Sequence, residues 1–172
     1  AKPYTKIVFK PDYTRFGIEN LSQEMRELLM KRVYDISAVT DKNIKVKFND
    51  NIIPVKNFQQ YIDLYLDENN KKVYEEASER WEYAAALSST HEFQQVSFVN
   101  GICTFKGGKH VDYILNQITK KMVAYIEKKK KVTVTANSIK EQIILFVRCD
   151  IENPAFDSQT KDYLNTPLSK FG

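Results

Sequence analysis

The 172-residue chain holds few of the residues that build metal centres and disulfide scaffolds: two cysteines and two histidines, with only five glycines. Cys103 and Cys149 form neither a metal-ligand nor a redox spacing, and two cysteines set up no disulfide framework, so buried free thiols are expected. His91 and His110 have no second ligand at convincing spacing, so no metal site is expected; His110 is expected to cap or pack near a helix start. No apolar run is long enough to span a membrane, and Ala1-Lys-Pro-Tyr-Thr-Lys6 lacks the apolar core of a signal peptide. The chain therefore reads as intracellular, with no membrane partner. There is no internal repeat, and no nucleophile and base can be paired from spacing alone.

What is present is the composition of a globular protein, 42% hydrophobic and 12% aromatic. The length fits one domain, or one domain with a piece of a neighbour. The 26 basic and 22 acidic residues leave a net charge of +4. That bias permits nucleic-acid contact without arguing for it, so the distribution of charge decides.

Thr5–Lys10 reads as a strand ended by Pro11 and Asp12. Between Asn20 and Ser37, Leu21, Met25, Leu28, Leu29, Val33 and Ile36 keep helical spacing and predict one buried stripe, with Asn20 and Gln23 resembling a capping box. Ile44–Phe48 alternates as a half-buried strand, and Asn49-Asp50-Asn51 turns it back toward Ile52 and Ile53 as a hairpin. Asn57 opens a second helix whose core face is Phe58, Tyr61, Ile62, Tyr65 and Leu66. The polar stretch from Asp67 to Ser78 reads as a mobile connection. Arg80–Leu87 and Gln94–Val99 read as strands, and Gly107-Gly108 introduces the longest helix, its core face Val111, Ile114, Leu115, Ile118, Met122, Tyr125 and Ile126. A helical turn over Ser138–Gln142 precedes the apolar strand Ile143–Val147. Interleaved strands and helices predict an α/β class, an α+β mixed sheet with helices on one face.

Three segments carry possible chemistry. After the last strand, Asn153-Pro154 ends regular structure, and the loop that follows holds Ser158, Gln159, Thr160 and Lys161, donors suited to an anion. A solvated turn is the ordinary alternative for such a loop. Lys106-Gly-Gly-Lys-His110 has glycines before a helix, but the spacing departs from a Walker motif and a flexible helix entrance fits better. Lys128, Lys129, Lys130 and Lys131 form the only dense block of one charge. They complement the negative end of a helix dipole, and a solvated face is their ordinary reading.

Ile151 to Lys161, Phe93-Gln-Gln-Val-Ser-Phe-Val-Asn100, Lys106-Gly-Gly-Lys-His-Val-Asp-Tyr113, Arg32-Val-Tyr-Asp-Ile36 and Pro54-Val-Lys-Asn-Phe58 together resemble the transducer region of eukaryotic type II DNA topoisomerases, in the same order along nearly the whole chain. The resemblance implies the layout of ribosomal protein S5 domain 2. It also implies that Gln159, Thr160 and Lys161 form a loop reaching a neighbouring ATP pocket, with Lys161 on the terminal phosphate as the ATP-sensing residue. Lys128–Lys131 match a lysine-rich loop that faces passing double-stranded DNA, Lys128 and Lys129 best. The chain departs from the family at Glu127, where a first lysine often stands, and at Lys109, often threonine or arginine.

By the same resemblance, residues 1–16 are the terminal strand of a preceding GHKL ATP-binding domain and residues 17–172 the transducer. The strand, cut from its sheet, is expected to be mobile, docked elsewhere or paired with another copy. The parent is expected to be a nuclear homodimer using ATP with Mg2+, the Mg2+ site lying outside this chain. Neither an Asp-x-Gly-x-Gly motif nor a glycine-rich lid occurs here, so the chain is not expected to hydrolyse ATP alone. Two alternatives stand beside this: a comparable domain of a mismatch-repair or chaperone ATPase, and a non-enzymatic nucleic-acid-binding module.

Overall fold

The seven residues Ile143–Cys149 are buried on both faces at all but one position, which makes them the strand around which the rest is arranged. The computed structural model describes residues 3–171. In chain order its elements are helix α1 (Gln23–Val39), strands β1 (Lys47–Phe48) and β2 (Asn51–Ile52), α2 (Phe58–Asp63), β3 (Lys72–Ser78), β4 (Trp81–Leu87), β5 (Gln94–Val99), β6 (Ile102–Cys103), β7 (Gly107–Gly108), α3 (Lys109–Lys130), α4 (Ala136–Lys140), β8 (Ile143–Cys149) and β9 (Tyr163–Leu164). Five strands form one sheet in the order β3-β4-β8-β5-β6. β8 runs antiparallel to β4, pairing Phe146 with Ala84, and parallel to β5, pairing Phe146 with Val96.

Because successive side chains of a strand point to opposite faces, the apolar run of β8 needs cover on both. Ile144 and Phe146 pack with Ala84, Phe98, Phe58, Tyr61 and Ile62. Ile143, Leu145 and Val147 pack with Val111, Ile114, Leu115 and Ile139. The mixed α/β class holds, but helices lie on both faces: α3 and α4 cover one, and α2 with the end of α1 covers the other, correcting the one-faced layout. The second helix starts as read, with Asn57 Oδ1 accepting from the Gln60 N–H at 2.8 Å. The hairpin also forms, with Asn49 and Asp50 in the left-handed region (φ 47° and 65°) that a two-residue turn between twisted strands requires.

Other expectations change. Asp67–Ser78 is not a loose connection throughout, because Lys72–Ser78 is the edge strand β3. The strand alternates half-buried Lys72 and Tyr74 with exposed Val73 and Glu75, and its Lys72, Glu75 and Glu76, residue types that strands disfavour, hide the strand signal. Thr5–Lys10 forms no strand among the described residues: no neighbouring edge offers its backbone a ladder, and Tyr4, Ile7, Val8 and Phe9 stand exposed. α1 is capped by Ser22, whose Oγ accepts from the Met25 N–H at 3.3 Å, rather than by Asn20. Its apolar stripe is largely uncovered, with Met25, Leu28, Leu29 and Ile36 exposed. Toward its end α1 buries Asp35, Ser37 and Ala38; Asp35 accepts from Tyr61 Oη at 2.5 Å and from Lys31 Nζ at 2.8 Å, tying α1 to α2. On α3, Met122 and Tyr125 leave the expected core face and are exposed, while Val111, Ile114 and Leu115 are buried.

Gly107 and Gly108 pair in parallel with Tyr163 and Leu164. A Cβ on Gly108 would lie 2.5 Å from the Leu164 nitrogen and 2.6 Å from its oxygen, at a φ of +139°. Backbone on backbone leaves nothing to yield, so Gly108→Ala is expected to lower stability by roughly 2 kcal/mol or more, measured by urea denaturation. An unchanged midpoint would refute this close approach.

Candidate functional site

The chain leaves β8 at Cys149 and is caught at once by Asn100, whose Nδ2 donates to the Ile151 carbonyl at 2.9 Å and whose Oδ1 accepts from the Ile151 N–H at 2.8 Å. Asn153 takes the left-handed region (φ 49°) before Pro154, a region asparagine tolerates, in place of the extended backbone that a following proline favours. Two arms are then laced together. The Ala155 N–H donates to Thr166 Oγ1 at 2.8 Å. The Asn165 N–H donates to the Ala155 carbonyl at 2.8 Å, and the Asp157 N–H to the Tyr163 carbonyl at 3.1 Å.

At the tip, the Lys161 N–H donates to the Ser158 carbonyl at 3.1 Å, with Lys161 at φ 60°. Thr160 Oγ1 donates to Asp162 Oδ2 at 2.8 Å and stands 2.7 Å from Ser158 Oγ. The buried Asp162 also receives Lys106 Nζ at 3.4 Å. The Thr160 hydroxyl is therefore spent on bracing the turn. Among the described residues the side chains of Gln159 and Lys161 have no hydrogen-bond or carboxylate partner, and Gln159 is exposed. The Lys161 ammonium sits 5.8 Å from the centre of the Phe156 ring, a contact that orients the stem while leaving the charge open to a ligand. The turn thus presents one amide and one cation from a tethered base. Phe156, Asp162 and Lys106 are supports that sequence reading missed; only the acidic residue next to Lys161 gave any hint.

The lysine run lies elsewhere. Lys128, Lys129 and Lys130 form the last turn of α3 and Lys131 is its C-cap, at φ 55° with its N–H on the Glu127 carbonyl at 3.1 Å. All four are exposed. Three of them are helical rather than in a loop, because cations are welcome at the negative end of a helix. Since β9 anchors the Gln159–Lys161 turn beside the start of α3, the 22 residues of that helix separate the two basic features, by roughly 33 Å at 1.5 Å per residue. They do not form one site.

Lys106-Gly-Gly-Lys-His110 is the structural turn described above and offers no open cradle. His110 is fully buried, its Nε2 3.1 Å from Thr104 Oγ1 and its Nδ1 unpartnered among the described residues. Burial lowers its pKa to about 4. Burial also raises the thiols of Cys103 and Cys149, which keeps both in the unreactive protonated form. Among the described residues no three His, Cys, Asp or Glu side chains converge as a metal site, and no helix is long and apolar enough to cross a membrane.

A family model described as DNA gyrase B matches residues 38–171. The chain is 45% identical over 181 residues to a DNA topoisomerase 2 of Arabidopsis thaliana, covering 100% of this chain and 12% of that protein. It is 42% identical over 187 residues to DNA topoisomerase 2 of Saccharomyces cerevisiae, covering 98% of this chain and 13% of that one. It therefore spans about an eighth of the length of these relatives. Among solved structures, the ATPase region of Saccharomyces cerevisiae topoisomerase II superposes with a TM-score of 0.86 at 42% identity, over 95% of this chain and 42% of that one. The ATPase and transducer domains of DNA topoisomerase II from Balamuthia mandrillaris give 0.85 at 36% identity, over 94% and 41%.

The buried histidine gives a pH dependence. With a folded pKa of about 4 below the ordinary 6.5, the unfolded chain binds the proton first. Stability is then unaffected by His110 above pH 6.5, falls as pH drops from 6.5 to 4, and levels below, a loss on the order of 3 kcal/mol. Chemical denaturation across that range should show the loss, and His110→Gln should remove it.

Proposed function

Because this chain belongs to the DNA gyrase B family of type II DNA topoisomerases, we propose that it is the transducer of an ATP-dependent enzyme that passes one DNA duplex through another. The observation that carries this reading is the Gln159–Lys161 turn, whose free donors stand on a base tied to the start of α3 by the pairing of Tyr163 and Leu164 with Gly107 and Gly108. In this reading the preceding GHKL domain supplies the ATP pocket, and Gln159 and Lys161 reach across to the terminal phosphate. A lysine suits that reach, a full charge on a long stem. Thr160 holds the turn in shape from within, through Asp162.

A hydrogen bond to a charged group is worth roughly 1.5–3 kcal/mol, enough to bias a hinge about 10- to 150-fold. Lys161 has that partner only while the terminal phosphate is in place. Once it has gone, the turn is released and the transducer rotates as a body relative to the ATP-binding domain, which turns nucleotide state into domain angle. Mg2+ would be held by residues outside this chain. At the far end of α3, Lys128–Lys131 meet the phosphates of the passing duplex. The enzyme works in the nucleus as a homodimer.

The boundary at residues 1–16 also fits. Tyr4, Ile7, Val8 and Phe9 stand exposed, as do Met25, Leu28 and Leu29 of α1. An uncovered apolar surface of this kind marks an interface, and its occupant in this reading is the ATP-binding domain of the same polypeptide. Identity to topoisomerases along the whole chain favours this over a mismatch-repair or chaperone ATPase and over a nucleic-acid-binding module.

In the full-length enzyme, Lys161→Ala is expected to lower both DNA-stimulated ATP hydrolysis and DNA relaxation by roughly 10- to 100-fold, with folding and dimerisation intact. Wild-type activity in that variant would reduce the turn to a surface feature. Replacing Lys128, Lys129, Lys130 and Lys131 together by alanine is expected to make the logarithmic salt slope of DNA binding shallower by about three to four. A smaller change would count the lysines that are merely solvated.

A further inference from the structure

We infer that the recess between the end of α1 and the segment leading into α2 is a docking site for an acidic peptide with large apolar side chains, supplied by a partner protein. The recess has a volume of about 370 Å³ and is walled by stretches of chain within residues 40–46 and 52–56. Three cations border it, Lys42, Lys45 and Lys56, and all are exposed. Among the described residues none of the three has a carboxylate within ion-pair distance. The acid in the lining, Asp41, is engaged by the Asn43 N–H at 2.8 Å. Lys42 and Lys56 also border a second depression with Glu76 and Glu82, but Glu82 is committed to Arg148 and Tyr74.

Apolar side chains share the recess with these cations. Ile44 is 61% exposed and Ile52 54%, and Val46 is half-buried beside them. Isoleucines left this open among unpaired lysines favour a ligand that brings apolar groups together with negative charge. A DNA duplex offers phosphates without such groups, and inorganic phosphate would engage the lysines alone. A peptide of acidic and large apolar residues offers both. The walls are already in place. Thr40 Oγ1 donates to the Ile36 carbonyl at 2.6 Å, and the Ile44 N–H to the Asp41 carbonyl at 2.9 Å. On the other side Ser37 Oγ donates to the Val55 carbonyl, and the Ile53 N–H to the Val46 carbonyl at 3.0 Å. Ile53 and Val55 are buried in the core with Phe58 and Tyr61. A ligand therefore does not have to order the site, which keeps the cost of binding low.

The test selects random dodecapeptides displayed on phage for binding to the full-length enzyme and counter-selects them on a variant carrying Lys42→Glu, Lys45→Glu and Lys56→Glu. Surviving peptides should be rich in Asp and Glu and carry Leu, Ile or Phe. Titrated by fluorescence anisotropy, the most enriched of them should bind wild type about tenfold more tightly than the variant at low salt, and lose much of that advantage at high salt. Ile44→Ser should weaken binding about fivefold at either salt concentration, because burial of an isoleucine is not screened. If charge reversal lowers the melting temperature, Lys42→Gln, Lys45→Gln and Lys56→Gln together, which only neutralise, take its place. A selection that yields no acidic peptides, or an enriched peptide that binds both enzymes alike, overturns the docking site. So does a logarithmic salt slope of duplex binding made shallower by about three in the neutralised variant, which would assign the lysines to nucleic acid. The readout is peptide binding, so failure of the proposed coupling role would leave this result unchanged.

Discussion

The approach of two backbones at Gly108 and Leu164 is the constraint on which the arrangement depends. Only a residue without a Cβ fits there, and the freedom a glycine loses on folding costs roughly 0.5–1 kcal/mol relative to alanine. That cost is offset by the complete burial of Leu164, a side chain whose transfer from water is worth roughly 2 kcal/mol. The result is that the start of the longest helix, the base of the Gln159–Lys161 turn and the strand leading to Phe171 meet at one place. Asp162 consolidates it by drawing Lys106 and Thr160 together.

α3 then separates two basic features that serve different purposes in the reading above. Their spacing of roughly 33 Å is about four times the Debye length at physiological salt, so neither charge feels the other through solvent. Communication between the turn and the lysines has to be mechanical. A helix packed along one side against β8 through Val111, Ile114 and Leu115 suits that, because a close-packed contact shifts as a unit.

Much of the fold was legible as pattern. Asn57 capping, the Asn49-Asp50 turn, the glycine entrance to α3 and the apolar run of β8 each carry a local signal that tertiary structure left intact. β3 was missed because Lys72, Glu75 and Glu76, residue types that strands disfavour, follow directly on a polar run, where a strand and a polar connection look alike. The α1 stripe was misread for another reason: helical periodicity reports that a face is apolar, not what covers it. Nothing in the sequence near Asp35 announced a buried carboxylate, since its partner Tyr61 lies on another helix. At the candidate site, the lysine run was visible as charge. The significance of Lys161 came from family resemblance, and its seat above Phe156 required the fold.

The strand order has a further consequence, in the timing of assembly. β4 and β5 follow each other in sequence yet never pair, because β8 lies between them. During synthesis both strands emerge long before the residues that join them, and the main sheet closes only when Ile143–Cys149 has left the ribosome. Until then the β3–β4 hairpin and the β5–β6 hairpin each present an open apolar edge, and contacts of such long sequence separation form slowly. The nascent chain is therefore most exposed to mispairing over the interval in which α3 is being made, and the helix that later separates the two basic features also sets the length of that wait.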